Sequence, residues 1–273
     1  MNLSFYSIGR FCSQIHLTKP QAEMDLSQIT FFSSFALVYL GMYLRHHNSL
    51  GCRFVVRPPE AQAAREYLAR QRFWERFNFQ EDAVRRENLH RFTTSTSLND
   101  IIDIESGHHL GDDVGDQVRN ILISNGLYRS PSQVGLMVGE LVDNFVQHSR
   151  RNLGALALQY YPRLGALKIA VADCGIGIRA SLAENPKYRS LQNEPHHKAA
   201  LKALQEGVSS KSQGGIGFLD VRNAIDEMEG QMLLSTGDEY ISIRKRQVAV
   251  GQMRYELPGV QIELFLPQGQ LIK

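Results

Sequence analysis

The chain has 273 residues, of which 43% are hydrophobic and 21% charged, a balance that excludes disorder throughout and leaves room for two modest domains. Thirty Lys and Arg against 28 Asp and Glu give a formal charge of +2, too close to neutral for the broad electrostatic footprint of a nucleic-acid binder. The three widely spaced cysteines, Cys12, Cys52 and Cys174, and the mixed polar start of the chain supply neither a disulfide framework nor a secretory leader, so a cytoplasmic setting is expected.

In chain order, residues 11–18 are expected as a strand, 31–45 as a helix, 52–57 as a strand and 60–73 as a helix. Phe54-Val55-Val56 carries the strand signal between the breaks at Gly51 and Pro58-Pro59, as β-branched and aromatic runs bounded by turn residues do. The apolar stretch 31–44 is interrupted by Ser33, Ser34 and Gly41 and falls short of the roughly 20 apolar residues of a membrane span, so it is expected as a buried helix. Residues 80–91 are strongly charged and 93–98 rich in Ser and Thr, with too little apolar surface to offset the entropy of ordering them. The organisation expected is therefore a small α/β domain over residues 1–90, a linker over 91–107 and a second α/β domain over 108–273.

In the second part, Ser130, Pro131 and Gln133 form a capping-box start with Pro at the first helical position. Val134, Val138, Leu141 and Phe145 then draw one apolar stripe, which predicts a helix to about residue 149. Strands are expected over 155–161 and 167–172 with Leu164-Gly165 in the turn, a helix over about 217–229, and a last strand over 260–266 closed by Pro267.

Three motifs carry chemistry. Glu140, Asn144 and His148 are spaced four and four, so each lies about 40° round from the last on nearly one helix face. A carboxylate, an amide and an imidazole there suit a general base, an oxygen ligand for a hard cation and a phosphate contact; a solvated helix face is the alternative. Asp173-Cys174-Gly175-Ile176-Gly177 places a carboxylate at a strand end and two glycines after it, where the backbone can approach a planar base whose amino group the acid accepts; an ordinary strand-to-loop turn is the alternative. Gly214-Gly215-Ile216-Gly217 opens a helix, with Lys211 just before it, an arrangement that suits phosphate or a flexible turn.

The ordered set resembles the nucleotide-binding domain shared by DNA gyrase, heat-shock chaperones, histidine kinases and MutL, the GHKL superfamily, over residues 108–273. The resemblance implies a two-layer α/β sandwich that binds ATP and magnesium. It implies that Glu140 polarises the attacking water or hydroxyl, that Asn144 binds magnesium and that Asp173 holds the adenine. Gly175 and Gly177 make room for the base, residues 182–212 with Pro186, Pro195 and His196-His197 form a lid, and Gly215 and Gly217 bind phosphates. Cys174 stands where the family often has Asn and reads as a packing residue, an oxidisable thiol beside the nucleotide being the alternative.

Residues 24–37 of the first domain resemble the strand-to-helix turn of STAS regulatory domains, with Ser34 nearest the Ser that is phosphorylated in some of them. Ser33 stands where Asp is usual and Phe35-Ala36 where Ser-Gly is usual, and Ser34 as a capping or packing residue is the alternative. The function implied is a regulatory protein that binds Mg-ATP and hydrolyses it, or transfers its terminal phosphate to a protein Ser or Thr. Its STAS-like part would couple nucleotide state to partner binding. The alternatives are an ATP-gated switch without turnover, and an interaction protein with a degenerate site. The partners expected are ATP and unidentified proteins, with homodimerisation left open.

Overall fold

The computed structural model describes residues 1–17, 20–77, 99–105, 110–127, 130–149, 153–205, 208 and 218–268. The chain is a mixed α/β protein. It begins β1 (Asn2–Leu3), α1 (Phe5–Ser13), β2 (Gln21–Asp25), β3 (Phe31–Phe32), α2 (Ser34–Ser49), β4 (Arg53–Arg57), α3 (Gln62–Arg70) and α4 (Phe73–Arg76). It continues β5 (Asn99–Glu105), α5 (Leu110–Ser124), α6 (Pro131–His148), β6 (Leu153–Tyr161), β7 (Ala166–Asp173), α7 (Gly177–Ala183) and α8 (His196–Ala203). The last elements are α9 (Phe218–Glu227), β8 (Gln231–Arg244) and β9 (Gln247–Pro267). No helix among the described residues is long and apolar enough to cross a membrane.

The N-terminal part holds two short parallel pairs, β1 with β3 and β2 with β4. The strand expected at 11–18 is not formed. Phe5, Ile8, Phe11 and Cys12 are instead the buried stripe of α1, a 3-3-1 spacing that fits a helix and not a two-residue period. The neighbouring strand, β2, was not expected, although its inward Ala22 and Met24 alternate with exposed residues as Phe54 and Val56 do in β4. The helix expected over 31–45 forms as α2 from Ser34 onward, Phe31-Phe32 being strand β3 instead, with Ser33 as its cap, the hydroxyl accepting from the Ala36 N–H at 3.2 Å. Every residue from Ser34 to Leu44 is buried, as in a helix that is covered all round.

The second part is a five-stranded antiparallel sheet in the order β5-β6-β7-β9-β8. Residues 99–105, placed in the connecting segment by composition, form its edge strand β5. Alternation along the strands gives the sheet two unlike faces. Leu156, Leu158, Leu167, Ile169, Val171, Ile262 and Leu264 pack with side chains of α5 to α9. On the other face Ala155, Ala157, Ala170 and Ala172 join one core with α1, α2 and the N-terminal strands. These small side chains let α2 lie close to β6 and β7. Polar ties seal the rim of that face: the Tyr67 and Tyr161 hydroxyls both donate to Gln159 Oε1, at 2.9 and 2.7 Å, and Lys168 pairs with buried Glu263 at 3.0 Å.

The last strand is far longer than the expected 260–266, and its partner β8 was missed. Pro258-Gly259 reads as a break, yet the ladder passes through it because the register shifts between Thr236 and Gly237, and a bulge accommodates Pro and a glycine at φ +94° that a regular ladder would not.

The helix start at Ser130 is as expected, with Pro131 in its first turn. The capping box is not made: the Ser130 side chain forms no cap bond, and Gln133 instead donates from Nε2 to Glu227 Oε2 at 2.6 Å. Val134, Val138, Leu141 and Phe145 are buried as the stripe required. A second stripe on α6, Gly135 and Gly139, faces Gly115 and Gly111 of antiparallel α5. A Cβ added to Gly135 would lie 2.6 Å from the Gly115 carbonyl oxygen, and one on Gly139 would lie 2.9 Å from that of Gly111. Such backbone-to-backbone approach leaves no flexible side chain to yield, so Gly135→Ala is expected to destabilise the protein by about 1–3 kcal/mol. Urea unfolding would show this as a lower midpoint with an unchanged slope, whereas exposed Leu136→Ala should leave the midpoint nearly unmoved.

Candidate functional site

Helix α6 brings Glu140 and Asn144 together. Both are half-buried, and the Asn144 amide donates from Nδ2 to the Glu140 carbonyl at 2.8 Å, which fixes the side chain and leaves its Oδ1 as an oxygen donor. Burial pushes the Glu140 carboxyl above its ordinary range, and the neighbouring charges of Asp143, Asp220 and Asp112 add to that. Asp143 also accepts from the Gly111 N–H at the start of α5, at 3.2 Å. Asp112, Asp143 and Asp220 were not expected at the site; Asp143, three residues after Glu140, lies off the four-residue ridge. Among the described residues no group of three or more ligating side chains is set to hold a metal unaided. The donor set still fits magnesium, which keeps several waters and takes only one or two protein oxygens beside substrate phosphates. Excess carboxylate charge here is what a hard cation relieves.

Asp173 closes β7 and is buried. Its Oδ1 accepts from the Gly175 N–H at 2.6 Å and its Oδ2 from the Val260 N–H at 3.2 Å. Burial raises its carboxyl to about 7, although the two N–H bonds pull the other way. Each carboxylate oxygen has a second lone pair, so the group can still accept one external donor. Gly259 lies directly against it: a Cβ there would fall 2.3 Å from Asp173 Oδ1. Behind the turn, Gln261 donates from Nε2 to the Asp173 carbonyl at 3.2 Å and accepts from the Ser235 hydroxyl at 2.8 Å.

The two expected glycines have different causes. Gly175 is pressed onto Ser149 at the end of α6, where a Cβ would sit 2.5 Å from the Ser149 Cα. Gly177 has φ +76° and opens α7 beside Thr236, whose hydroxyl lies 3.4 Å from the Ile178 N–H that donates to it. Thr236 and Gly259 were not singled out in the sequence; the Pro-Gly turn before the last strand was the available signal. Cys174 is buried and its thiol donates to the Met42 carbonyl at 3.3 Å, the packing role expected of it.

Contact between Gly175 and Ser149 sets the two halves of the site. Nine residue steps separate Glu140 from the C-cap Ser149 of α6, about 13 Å along a helix axis, so the Asp173 turn lies toward one end of α6 and the acidic group around Glu140 lies farther up it. The His148 side chain and residues Lys211, Gly215 and Gly217 lie outside the described residues. The expected lid segment is described through residue 205 and at 208. It comprises the end of α7, a 3-10 helix Pro186–Asn193 and α8, and α8 is held to the bulged part of β8: Glu239 accepts from the His197 N–H at 2.8 Å and bonds its Nδ1 at 2.9 Å.

No family model, no curated protein and no solved structure matches this chain.

The raised Asp173 carboxyl gives the fold a pH signature. Its folded value of about 7 exceeds the ordinary 3.8, so the native state binds this proton more tightly than the unfolded chain does. The resulting stability is fully present below pH 4 and is lost as pH rises through 7. Thermal unfolding of the wild type should therefore occur at lower temperature at pH 8 than at pH 5. Asp173→Asn should start lower at pH 5, because one N–H loses its acceptor, and should show a flatter slope across the same range.

Proposed function

We propose that the chain is a Mg-ATP-binding regulatory protein of GHKL type with a STAS-like N-terminal part. The observation that carries this reading is Asp173: a buried carboxylate at a strand end, held by two backbone N–H groups, overlaid by Gly259 and flanked by Gly175 and Gly177. The set suits the edge of an adenine ring, which presents an amino donor and tolerates no crowding side chain. Support also comes from the antiparallel sheet with α5, α6 and α9 on one face, and from the fixed offset between Asp173 and Glu140 along α6. Asn144 Oδ1 would supply the magnesium oxygen. When bound, the metal would offset phosphate charge. The STAS-like reading rests on the two parallel strand pairs and on α2 following directly on β3. Ser34 is fully buried against the sheet, which favours a packing role for its hydroxyl in this conformation.

Glu140 orients and deprotonates the attacking water or hydroxyl in this account, and its raised carboxyl is matched to that task better than an exposed carboxylate. Phosphate release from ATP, measured with and without magnesium, tests the assignment. Glu140→Ala is expected to keep ATP affinity within a few fold while lowering turnover by about 10²-fold or more. In the wild type the acid limb of the rate profile should lie above the ordinary carboxylate range. Unchanged turnover in Glu140→Ala would remove Glu140 as the base. ATP binding without any turnover would favour the ATP-gated switch.

A further inference from the structure

We infer that the N-terminal part is mechanically coupled to the Asp173 turn through two residues of α2, Met42 and Arg45, so that the occupancy of the turn regulates the N-terminal part. The regulatory half of this inference rests on the ligand reading above; the coupling itself does not. Met42 and Arg45 are three apart and share a helix face. The Met42 carbonyl accepts from the Cys174 thiol at 3.3 Å, and Arg45 donates from one Nη to the Gly154 carbonyl at 3.3 Å. Cys174 follows Asp173 in the chain, and Gly154 is its partner across the β6–β7 ladder. The two contacts therefore flank Asp173 along the chain and across the sheet.

Arg45 carries the link onward. Its other Nη donates to the Arg76 carbonyl at 2.7 Å, and the guanidinium stacks 4.5 Å from the centre of the Phe77 ring. Phe77 occupies the space left by Gly41, where a Cβ would lie 2.3 Å from the ring. One side chain thus joins the strand opposite Asp173, helix α2 and the end of α4. On its sheet side α2 rests on Ala155, Ala157, Ala170 and Ala172, a floor of small residues. A packed helix on such a floor can slide as a shear element, and displacement of residues 173–175 is passed to it by the two contacts. At its far end α2 is tied to the N-terminal strands: the Cys52 N–H donates to the His47 carbonyl at 3.0 Å and opens β4.

Cys12 and Cys52 are buried in the N-terminal part and report its opening. Peptide-resolved iodoacetamide labelling of the full chain measures each thiol separately. Asp173→Asn, which disturbs the turn without any ligand, is compared with Leu122→Ala, which removes a buried side chain from α5, in urea concentrations that equalise global stability. The expected result is labelling of Cys12 and Cys52 about tenfold faster in Asp173→Asn than in the control, reduced to the control rate when Arg45→Met and Cys174→Ala are added. Equal rates in Asp173→Asn and Leu122→Ala would overturn the coupling; Asp173→Ala serves as the perturbation should the Asn variant fail to fold. A second arm adds Mg-ATP to the wild type. A changed Cys52 rate on ATP binding supports regulation, and ATP binding with an unchanged rate contradicts it. Absence of ATP binding removes the nucleotide reading alone, since the variant arm still decides the coupling.

Discussion

The contact of Gly175 with Ser149 is the constraint on which the site depends. It lets the end of α6 sit directly on the turn that leaves β7, with the Ser149 carbonyl accepting from the Ile176 N–H at 3.1 Å. A helix is a stiff ruler, and once its end is fixed the positions of Asn144 and Glu140 follow from the rise per residue. The glycine seam with α5 then fixes the rotation of that ruler, because backbone-to-backbone packing at Gly135 and Gly139 admits little displacement. The acidic side chains beside Glu140 are a consequence of that rotation together with the docking of α5 and α9.

The two faces of the sheet are built differently. Its helix-facing side is built from large aliphatic residues that interdigitate with α5 to α9, whereas its other side is alanine-rich under α2. Burial of α2 all round means that the N-terminal part and the sheet share one core. At the rim of that core lie Lys168 and Glu263, a charge pair in which burial raises the carboxyl although Lys168 pulls it down. Buried pairs of this kind add little net stability, and the Glu263 Oε2 oxygen has no hydrogen-bond partner. The apolar contacts around α2 therefore carry the docking.

Much of this was legible where local chemistry and burial agree. The 4-3-4 stripe of α6, the β-branched run of β4 between its breaks and the Asp-Cys-Gly-Ile-Gly turn all follow from residues that act within one or two turns of chain. The misreadings have local and tertiary causes. The α1 stripe begins at Phe5, so residues 11–18 hold only its last turn and do not show the helical period. β5 owes its place to pairing with β6, which composition does not register. The bulge opposite Pro258-Gly259 made a break signal compatible with a continuous strand. Within the site, Glu140, Asn144, Asp173, Gly175 and Gly177 were visible as motif residues. Thr236, Gly259 and Asp143 acquire their roles only when β8, β9 and α5 are brought against the turn and against α6.

The proposed nucleotide site turns on Asp173 receiving the amino group of an adenine. Calorimetric titration of the full chain with Mg-ATP and with Mg-ITP, which carries a carbonyl oxygen in place of that amino group, tests it most directly. At pH 8, where Asp173 is ionised, ITP is expected to bind at least about tenfold more weakly, as a buried charged acceptor loses its donor, and Asp173→Asn is expected to remove most of the difference. Equal affinity for the two nucleotides, or no binding of either, would contradict it.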